Sequence, residues 1–173
     1  MHTHMHMKKL LTLLLLLLPL MAGAQTRFGY LSYDTVFHSM PEYTAACRTL
    51  ADLKQKYDAE TQRAENEFNA KYEEFLDGQR DFVPSILQKR QAELQDLMER
   101  NTAFRDQARQ LLAAAERDAF APIRARLAAA IARVGRDHGY AFILNTDGNA
   151  CPYIDPASGD DVTILVKNAL GHN

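Results

Sequence analysis

The sequence contains few cysteines. Only Cys47 and Cys151 occur, far apart in the chain, and neither belongs to a CxxC pair of the kind found in redox-active sites. A disulfide between them and two free thiols are both compatible with this spacing. The cysteines therefore argue against a redox centre and leave their own pairing open.

The sequence also lacks the combinations from which catalytic and metal sites are built. His38 with Asp34 and His138 with Asp137 are the residue types of a candidate acid–base pair, but no nucleophile, glycine-rich loop or metal-ligand set accompanies them. Residues 147–149 match a fragment of a calcium loop whose remaining ligands are missing, so a turn is the sufficient interpretation. We therefore predict no catalytic residue, no cofactor and no metal, and interpret the chain as non-enzymatic.

Long apolar runs are confined to the N-terminus. Residues 1–24 have the layout of a secretory signal. Lys8-Lys9 is followed by an apolar run from Leu10 to Leu18, and Ala22-Gly23-Ala24 precedes the cleavage site. No later segment reaches the roughly 18 apolar residues that a membrane span needs. The sequence predicts a soluble exported protein with peripheral membrane contact at most.

Positive charge is scarce once the signal is removed. Without Lys8 and Lys9, 18 basic residues remain against 22 acidic ones, a net charge of about −4. Proteins that bind nucleic acid neutralise phosphates with an excess of lysine and arginine. The charge balance therefore argues against nucleic acid as a partner.

The middle of the chain has the pattern of a long helix. From Pro41 to Leu76 apolar residues recur mostly at steps of three and four, and no glycine interrupts them before Gly78. Breaker residues then collect in 77–84. Ser85 follows as a candidate N-cap with Gln88 as its capping-box partner. We expect the chain to turn here and return as a second helix.

The return helix carries a coiled-coil rhythm. Apolar steps of four and three predict a seam over nearly four heptads, formed by Leu94, Leu97, Asn101, Phe104, Ala108, Leu111, Ala115 and Ala119. Pro122 interrupts the run, so we predict a kink near 119–122 and assign Pro122 as a hinge. Acidic residues dominate between Asp52 and Asp77 and basic residues between Arg105 and Arg136. Two antiparallel helices would then face each other with opposite charge, and the alternative is that these charges only solvate the outer face of each helix.

The two ends of the mature chain have strand patterns. Residues 27–32 alternate like a strand, and 140–145 form an apolar strand of the kind buried on both faces. Asp147-Gly148 predicts a tight hairpin turn into a strand at 151–154. After a loop at 155–159, residues 162–170 fit a short helix closed by Gly171.

These patterns predict an α+β fold. A small β-strand body would carry a long antiparallel α-helical coiled-coil hairpin, inserted between the first and second strands. The divisions are a signal peptide at 1–24, the first part of the body at 25–40, the hairpin arm at 41–121 with its turn at 77–84, and the second part of the body at 122–173. Strands and one helix of this size seldom bury enough apolar surface to be stable alone, so we predict an oligomer.

The order of elements resembles the Skp/OmpH family of periplasmic chaperones across the mature chain. The resemblance rests on FGYLSYDTVFHSMPEY, then a long charged hairpin, then GYAFILN, PYIDP and DVTILVKNAL. It implies a homotrimer whose helical hairpins surround a central cavity. There the protein would hold unfolded outer-membrane proteins without ATP and prevent their aggregation. Familiar members are basic whereas this mature chain is slightly acidic, which weakens any mechanism based on long-range attraction of acidic clients or lipids.

Aromatic and apolar residues of the arm are the candidates for client contact. They are Phe68, Tyr72, Phe75, Phe82, Val83 and Phe104. The alternative is that Phe68, Tyr72, Phe75 and Phe104 only pack the seam, whereas Phe82 and Val83 lie at a turn where little core exists to receive them. The residues assigned to the body and to contact between copies are Phe28, Tyr30, Tyr140, Phe142 and Leu144.

A second function is compatible with the same heptads. The chain would then be a structural coiled-coil scaffold or adaptor of the cell envelope, whose hairpin binds one folded partner. The behaviour of an unfolded client separates the two hypotheses, because only a chaperone keeps it soluble.

Overall fold

The computed structural model describes residues 27–171, so the predicted signal peptide lies outside the described residues. The elements in chain order are β1 (Phe28–Leu31), α1 (Tyr33–Ser39), α2 (Pro41–Gly78), α3 (Pro84–Asp137), β2 (Phe142–Asn145), β3 (Gly159–Asp161) and α4 (Thr163–Ala169). A single 3-10 turn at Asp147–Asn149 follows β2. The predicted fold class, a small strand body with a long helical hairpin between its first and second strands, is confirmed.

The chain divides into two compact units. The body contains the described residues up to Val36 and from Ala128 onward, and the hairpin contains Phe37–Leu127. α1 was not predicted, because a helix of seven residues between a strand and a proline is too short to show a period. The hydroxyl of Ser32 accepts a hydrogen bond from Thr35 N at 3.1 Å and so caps its first turn.

The hairpin consists of α2 and α3 in antiparallel order. Tyr43 stacks on Phe120 at 5.3 Å, and Tyr57 lies 6.2 Å from Phe104. Nearer the turn, Asn101 donates a hydrogen bond to the carbonyl oxygen of Ala64 at 3.0 Å. The residue numbers of contacting partners thus rise along one helix as they fall along the other. The two helices are therefore antiparallel, as the sequence predicted.

The first residues of α3 differ from the prediction. Leu87 N donates to Val83 O at 3.0 Å, so Val83 occupies the N-cap position and the helix begins at Pro84. Ser85 is therefore inside the first turn and is not the N-cap, and the proposed capping box with Gln88 is wrong. Proline suits the first helical position because its fixed φ is already helical and no N–H is needed there.

The helix continues through Pro122 to Asp137. Pro122 is exposed, while Phe120 and Ile123 beside it are buried. Because proline has no N–H, one backbone carbonyl of the preceding turn lacks its helical hydrogen bond. On the solvent side of the helix this carbonyl can bond water, which lowers the free-energy cost of a proline inside the helix.

The sheet is parallel throughout, with the order β2-β1-β3. The predicted hairpin from Asp147-Gly148 into a strand at 151–154 is wrong, since the third strand is β3 on the other side of β1. The carboxylate of Asp147 accepts hydrogen bonds from the Ser32 hydroxyl at 2.6 Å and from Asp34 N at 2.8 Å. These bonds hold the turn against the end of β1, and the chain crosses over instead of reversing.

One face of the sheet is covered within the body. Gly29 and Leu31 face this side and are buried, as are Val134, Val162, Val166 and Leu170 of the body. A Cβ on Gly29 would lie 2.7 Å from Cγ1 of Val162, so glycine allows α4 to approach the sheet closely. α4 ends as predicted, with Gly171 in the left-handed region at φ 83°.

The other face of the sheet is open in the single chain. Phe28 is in register with Phe142, and Tyr30 with Leu144. The rings of Phe28 and Phe142 stack at 5.5 Å, and Phe142 keeps 49% of its surface exposed. Burial of β2 on both faces, as predicted for 140–145, is therefore wrong for one chain, because β2 is an edge strand that helices cover on one side only.

Candidate functional site

Among residues 27–171, no cluster of three or more histidine, cysteine or acidic residues is placed to bind a metal ion. Cys47 and Cys151 are both free thiols, which resolves the alternative left open by their spacing. Within the same range, no helix is both long and apolar enough to cross a membrane.

The turn end of the hairpin separates two residues that the sequence grouped together. Phe82 is half-buried and lies against Phe75, with ring centroids 6.3 Å apart. Val83 is 59% exposed. Of the two residues assigned to the tip, one is packed against the hairpin and one is presented to solvent.

The remaining candidates for client contact also divide. Phe104 packs across the hairpin on Tyr57, as the seam interpretation expects. Phe68 is half-buried and stacks on Tyr72 at 6.0 Å, and Tyr72 is 45% exposed. Tyr72 is therefore available for contact, whereas Phe68 and Phe104 mainly support the hairpin.

Several exposed apolar residues of the hairpin were not assigned to client contact from the sequence. They are Leu76, Ile86, Met98 and Leu111, each exposed by 41% or more. Leu111 was assigned to the seam, and that assignment is wrong. A single partner helix covers a stripe that is too narrow to bury both apolar positions of each heptad, so one of the two positions is exposed to solvent.

The seam itself is thin. No residue of α2 is fully buried, and small residues such as Ala108 supply part of the opposing stripe. The best-packed level of the hairpin is its base, where Phe37, Tyr43 and Phe120 form a cluster with centroids 5.1 to 5.9 Å apart. The guanidinium of Arg124 lies 5.8 Å from two of these rings.

Charges cross the hairpin at three described positions. One of them is the pair of Arg126 with Glu42. Arg105 Nη1 lies 3.4 Å from Glu65 Oε1, and Arg90 Nη2 lies 3.9 Å from Glu74 Oε1. Each pair joins a basic residue of α3 to an acidic residue of α2, and the Arg105–Glu65 pair joins the basic and acidic stretches that the sequence predicted to face each other. They are exposed, so they favour one register and add little stability.

The body contains a polar cluster at the start of its strands. Asp160 accepts hydrogen bonds from Arg27 at 2.8 Å and from the Tyr140 hydroxyl at 2.9 Å. The bond from Arg27, followed by that from Tyr140, lowers the pKa of Asp160 below its ordinary range. Burial, followed by the bond to Asp160, raises the pKa of Tyr140. Tyr140, assigned to the body from the sequence, thus ties β3 to the segment before β2.

The geometry gives a two-helix hairpin with exposed apolar residues and a small body with one uncovered apolar face. The model of the family "Outer membrane protein (OmpH-like)" matches residues 27–170, nearly the whole described chain. The chain belongs to the OmpH-like family.

A solved structure has a similar fold to this OmpH-like chain. It is a Caulobacter crescentus CB15 protein described as an outer membrane chaperone (OmpH-like), and the two superpose with a TM-score of 0.70. The match covers 83% of this chain and 82% of that one at 17% sequence identity, which shows a common fold. No curated protein matches the sequence.

Proposed function

We propose that this OmpH-like chain is an ATP-independent holdase chaperone of the periplasm. It would bind unfolded outer-membrane proteins and keep them from aggregating. The observation that carries the proposal is the hairpin surface, where Tyr72, Leu76, Val83, Ile86 and Met98 expose apolar side chains outside any enclosed pocket. Family membership and the fold shared with the Caulobacter crescentus protein described as a chaperone support it.

Dispersed apolar contacts suit a client without fixed structure. Each exposed side chain offers a small area, and burial of apolar surface contributes roughly 25 cal/mol per Å². Many weak contacts can therefore hold an extended chain while each one breaks readily. A folded partner would instead require one large complementary patch.

Self-association belongs to the same proposal. The open sheet face of Phe28, Tyr30, Phe142 and Leu144 places apolar side chains where helices of the same chain do not cover them. A body of this size gains stability when such a face is buried against other copies. In a homotrimer, three hairpins would border a common cavity and present their exposed residues to one client.

The protein would act by binding and confinement, without catalysis or a cofactor. Export through a cleavable signal peptide at 1–24 would place it in the compartment that outer-membrane proteins cross. Because the mature chain is slightly acidic, contact with an anionic membrane surface would be peripheral at most.

The deciding experiment is an aggregation assay. A urea-denatured β-barrel protein is diluted into buffer with the mature chain at one trimer per client, and light scattering is followed. A holdase suppresses the scattering without ATP. A structural scaffold of the envelope, the second candidate function, leaves the scattering unchanged.

A further inference from the structure

The ring of Phe82 occupies a slot at the turn end of the hairpin. Phe82 belongs to the segment 79–83 between α2 and α3, yet its ring points back toward the hairpin and lies 6.3 Å from that of Phe75. A Cβ on Gly78 would lie 2.6 Å from Phe82 Cζ. The space beside Gly78 is therefore open to a ring because residue 78 has no side chain.

A small cavity adjoins the slot, and the Phe82 ring forms part of its wall, so the cavity would join the slot if the ring left. Phe75 and Leu94 supply the other apolar side chains of this cavity, and Lys71, Glu74, Arg90 and Glu93 form its charged rim. The rim charges pair with one another: Arg90 Nη1 lies 3.1 Å from Glu93 Oε2, and Lys71 Nζ lies 3.8 Å from Glu74 Oε2. Because these charges already have partners, the cavity favours an uncharged flat group.

We propose that Phe82 is an internal plug of an aromatic-binding slot, and that an aromatic side chain of a client enters this slot when Phe82 leaves it. The inference rests on the proposed holdase function, and it names both the group that the turn end recognises and the residue that regulates access. The occupant is aromatic because the chain's own phenyl ring shows what the slot accepts.

The position of Phe82 makes its release feasible. It sits in a short connection whose backbone is held by a bond from Asp81 N to Gly78 O at 3.0 Å, so a side-chain rotation frees the ring and leaves both helices in place. The ring is only half-buried, and Val83 next to it is already in solvent. Phe82 therefore competes with a client instead of forming permanent core.

The first test removes the plug. N-acetylphenylalaninamide is titrated into the wild type and into Phe82→Ala, and the amide signals of Phe75 and Leu94 are followed by NMR. A plug that is released about a tenth of the time reduces apparent affinity about tenfold, so Phe82→Ala should bind the probe about ten times more tightly. N-acetylglycinamide serves as the control ligand and should bind neither protein.

The second test displaces the plug without removing it. Gly78→Ala places a methyl group where the ring now lies, and alanine suits this helical position, so far-UV circular dichroism should be unchanged. In Gly78→Ala the freed Phe82 ring should give sharper, solvent-like NMR signals. Val83→Ala is the matched control for the probe titration, and its affinity for the probe should differ from that of the wild type by less than twofold.

Two results overturn the inference: equal probe affinity in wild type and Phe82→Ala, or a Phe82 ring that stays packed in Gly78→Ala. The holdase function is judged separately by client aggregation. Tighter probe binding in Phe82→Ala without any suppression of client aggregation would show that the slot binds aromatic groups but that a client does not occupy it.

Discussion

Neighbouring residues of the hairpin turn have different roles because of the direction in which each side chain points. Phe82 and Val83 are both apolar, and both follow the same breaker-rich segment. The missing side chain of Gly78 gives the Phe82 ring a place to pack, whereas Val83, as the N-cap of α3, is turned outward. Local sequence pattern does not contain this distinction, since it depends on the backbone path through the turn.

The exposure of Val83 leads to a prediction about client holding. Val83→Ser should weaken the suppression of client aggregation about two- to threefold, because it removes apolar area from the contact surface. It should leave the free energy of unfolding the same or raise it by up to about 1 kcal/mol, because serine at the N-cap of α3 can accept a hydrogen bond from a first-turn N–H whereas valine cannot. Aggregation assays and urea denaturation measure the two effects. Leu127→Ala, at a fully buried position, is the contrasting control, with an expected loss of about 2–5 kcal/mol of stability.

Asp147 makes the stability of the body depend on pH. Its pKa is lowered, first by the hydrogen bond from the Ser32 hydroxyl and also by that from the backbone of Asp34. Because folding lowers this pKa, the ionised carboxylate stabilises the fold above the ordinary carboxyl range near 3.8, and the contribution is lost as the pH falls through the lowered value.

Removal of this charge should flatten the acid limb of the stability profile. We expect the melting temperature of the wild type to fall between about pH 6 and about pH 2, and that of Asp147→Asn to start lower and fall less. Calorimetry at several pH values measures both profiles. Parallel profiles for the two proteins would show that Asp147 does not contribute in this way.

At the level of elements, the hairpin depends on a single narrow seam. No residue of α2 is fully buried, and half-exposed aromatic residues supply much of the packing. Two helices can bury only one stripe of each other, so most of the stability of the hairpin is concentrated at its base around Phe37, Tyr43 and Phe120. Exposed residues nearer the turn can then contact other molecules with little loss of stability.

Pro122 gives a prediction for the return helix. Pro122→Ala restores one backbone hydrogen bond in α3 and should raise the free energy of unfolding by about 1–3 kcal/mol. If Pro122 is a hinge, the stiffer hairpin should also capture a narrower range of client sizes. Urea denaturation and aggregation assays with small and large β-barrel clients measure these effects. Equal capture of all clients by both proteins would contradict the hinge.

Asn101 gives a prediction about register. Its side chain bonds to Ala64 O at a seam position, where an apolar residue would pack without directional preference. Asn101→Leu should therefore raise the melting temperature but allow the helices to shift. Disulfide cross-linking of Glu65→Cys with Arg105→Cys detects this, since the yield should fall in the Asn101→Leu background. Leu97→Met is the matched seam substitution and should leave the yield unchanged.

At the level of the whole molecule, the open sheet face is an apolar surface of the body that a single chain leaves uncovered. Phe142 is exposed, whereas Gly29 and Leu31 on the opposite face of the sheet are buried. Phe142→Asp should convert the proposed trimer to monomers, measured as molar mass by light scattering. Ile164→Asp, also at an exposed apolar position of the body, is the control and should keep the mass of the wild type. The reverse outcome would place the contact between copies on α4.

The sequence predicted the elements with strong periods and missed those fixed by distant contacts. The long helices, their antiparallel pairing and the closure of α4 at Gly171 follow from patterns within a few residues. The hairpin turn predicted at Asp147-Gly148 was wrong because the side chain of Asp147 bonds to Ser32, more than a hundred positions earlier. Nothing near Asp147 in the sequence distinguishes the two outcomes.

By itself, the sequence determined that the chain builds a long helical hairpin on a small strand body, because apolar periodicity and the placement of glycine and proline act locally. Only the tertiary structure decided that the sheet is parallel, that one of its faces stays open and that Phe82 turns inward while Val83 turns outward. These features depend on which side chains meet across large sequence separations, and such meetings are settled by packing and hydrogen bonding in three dimensions.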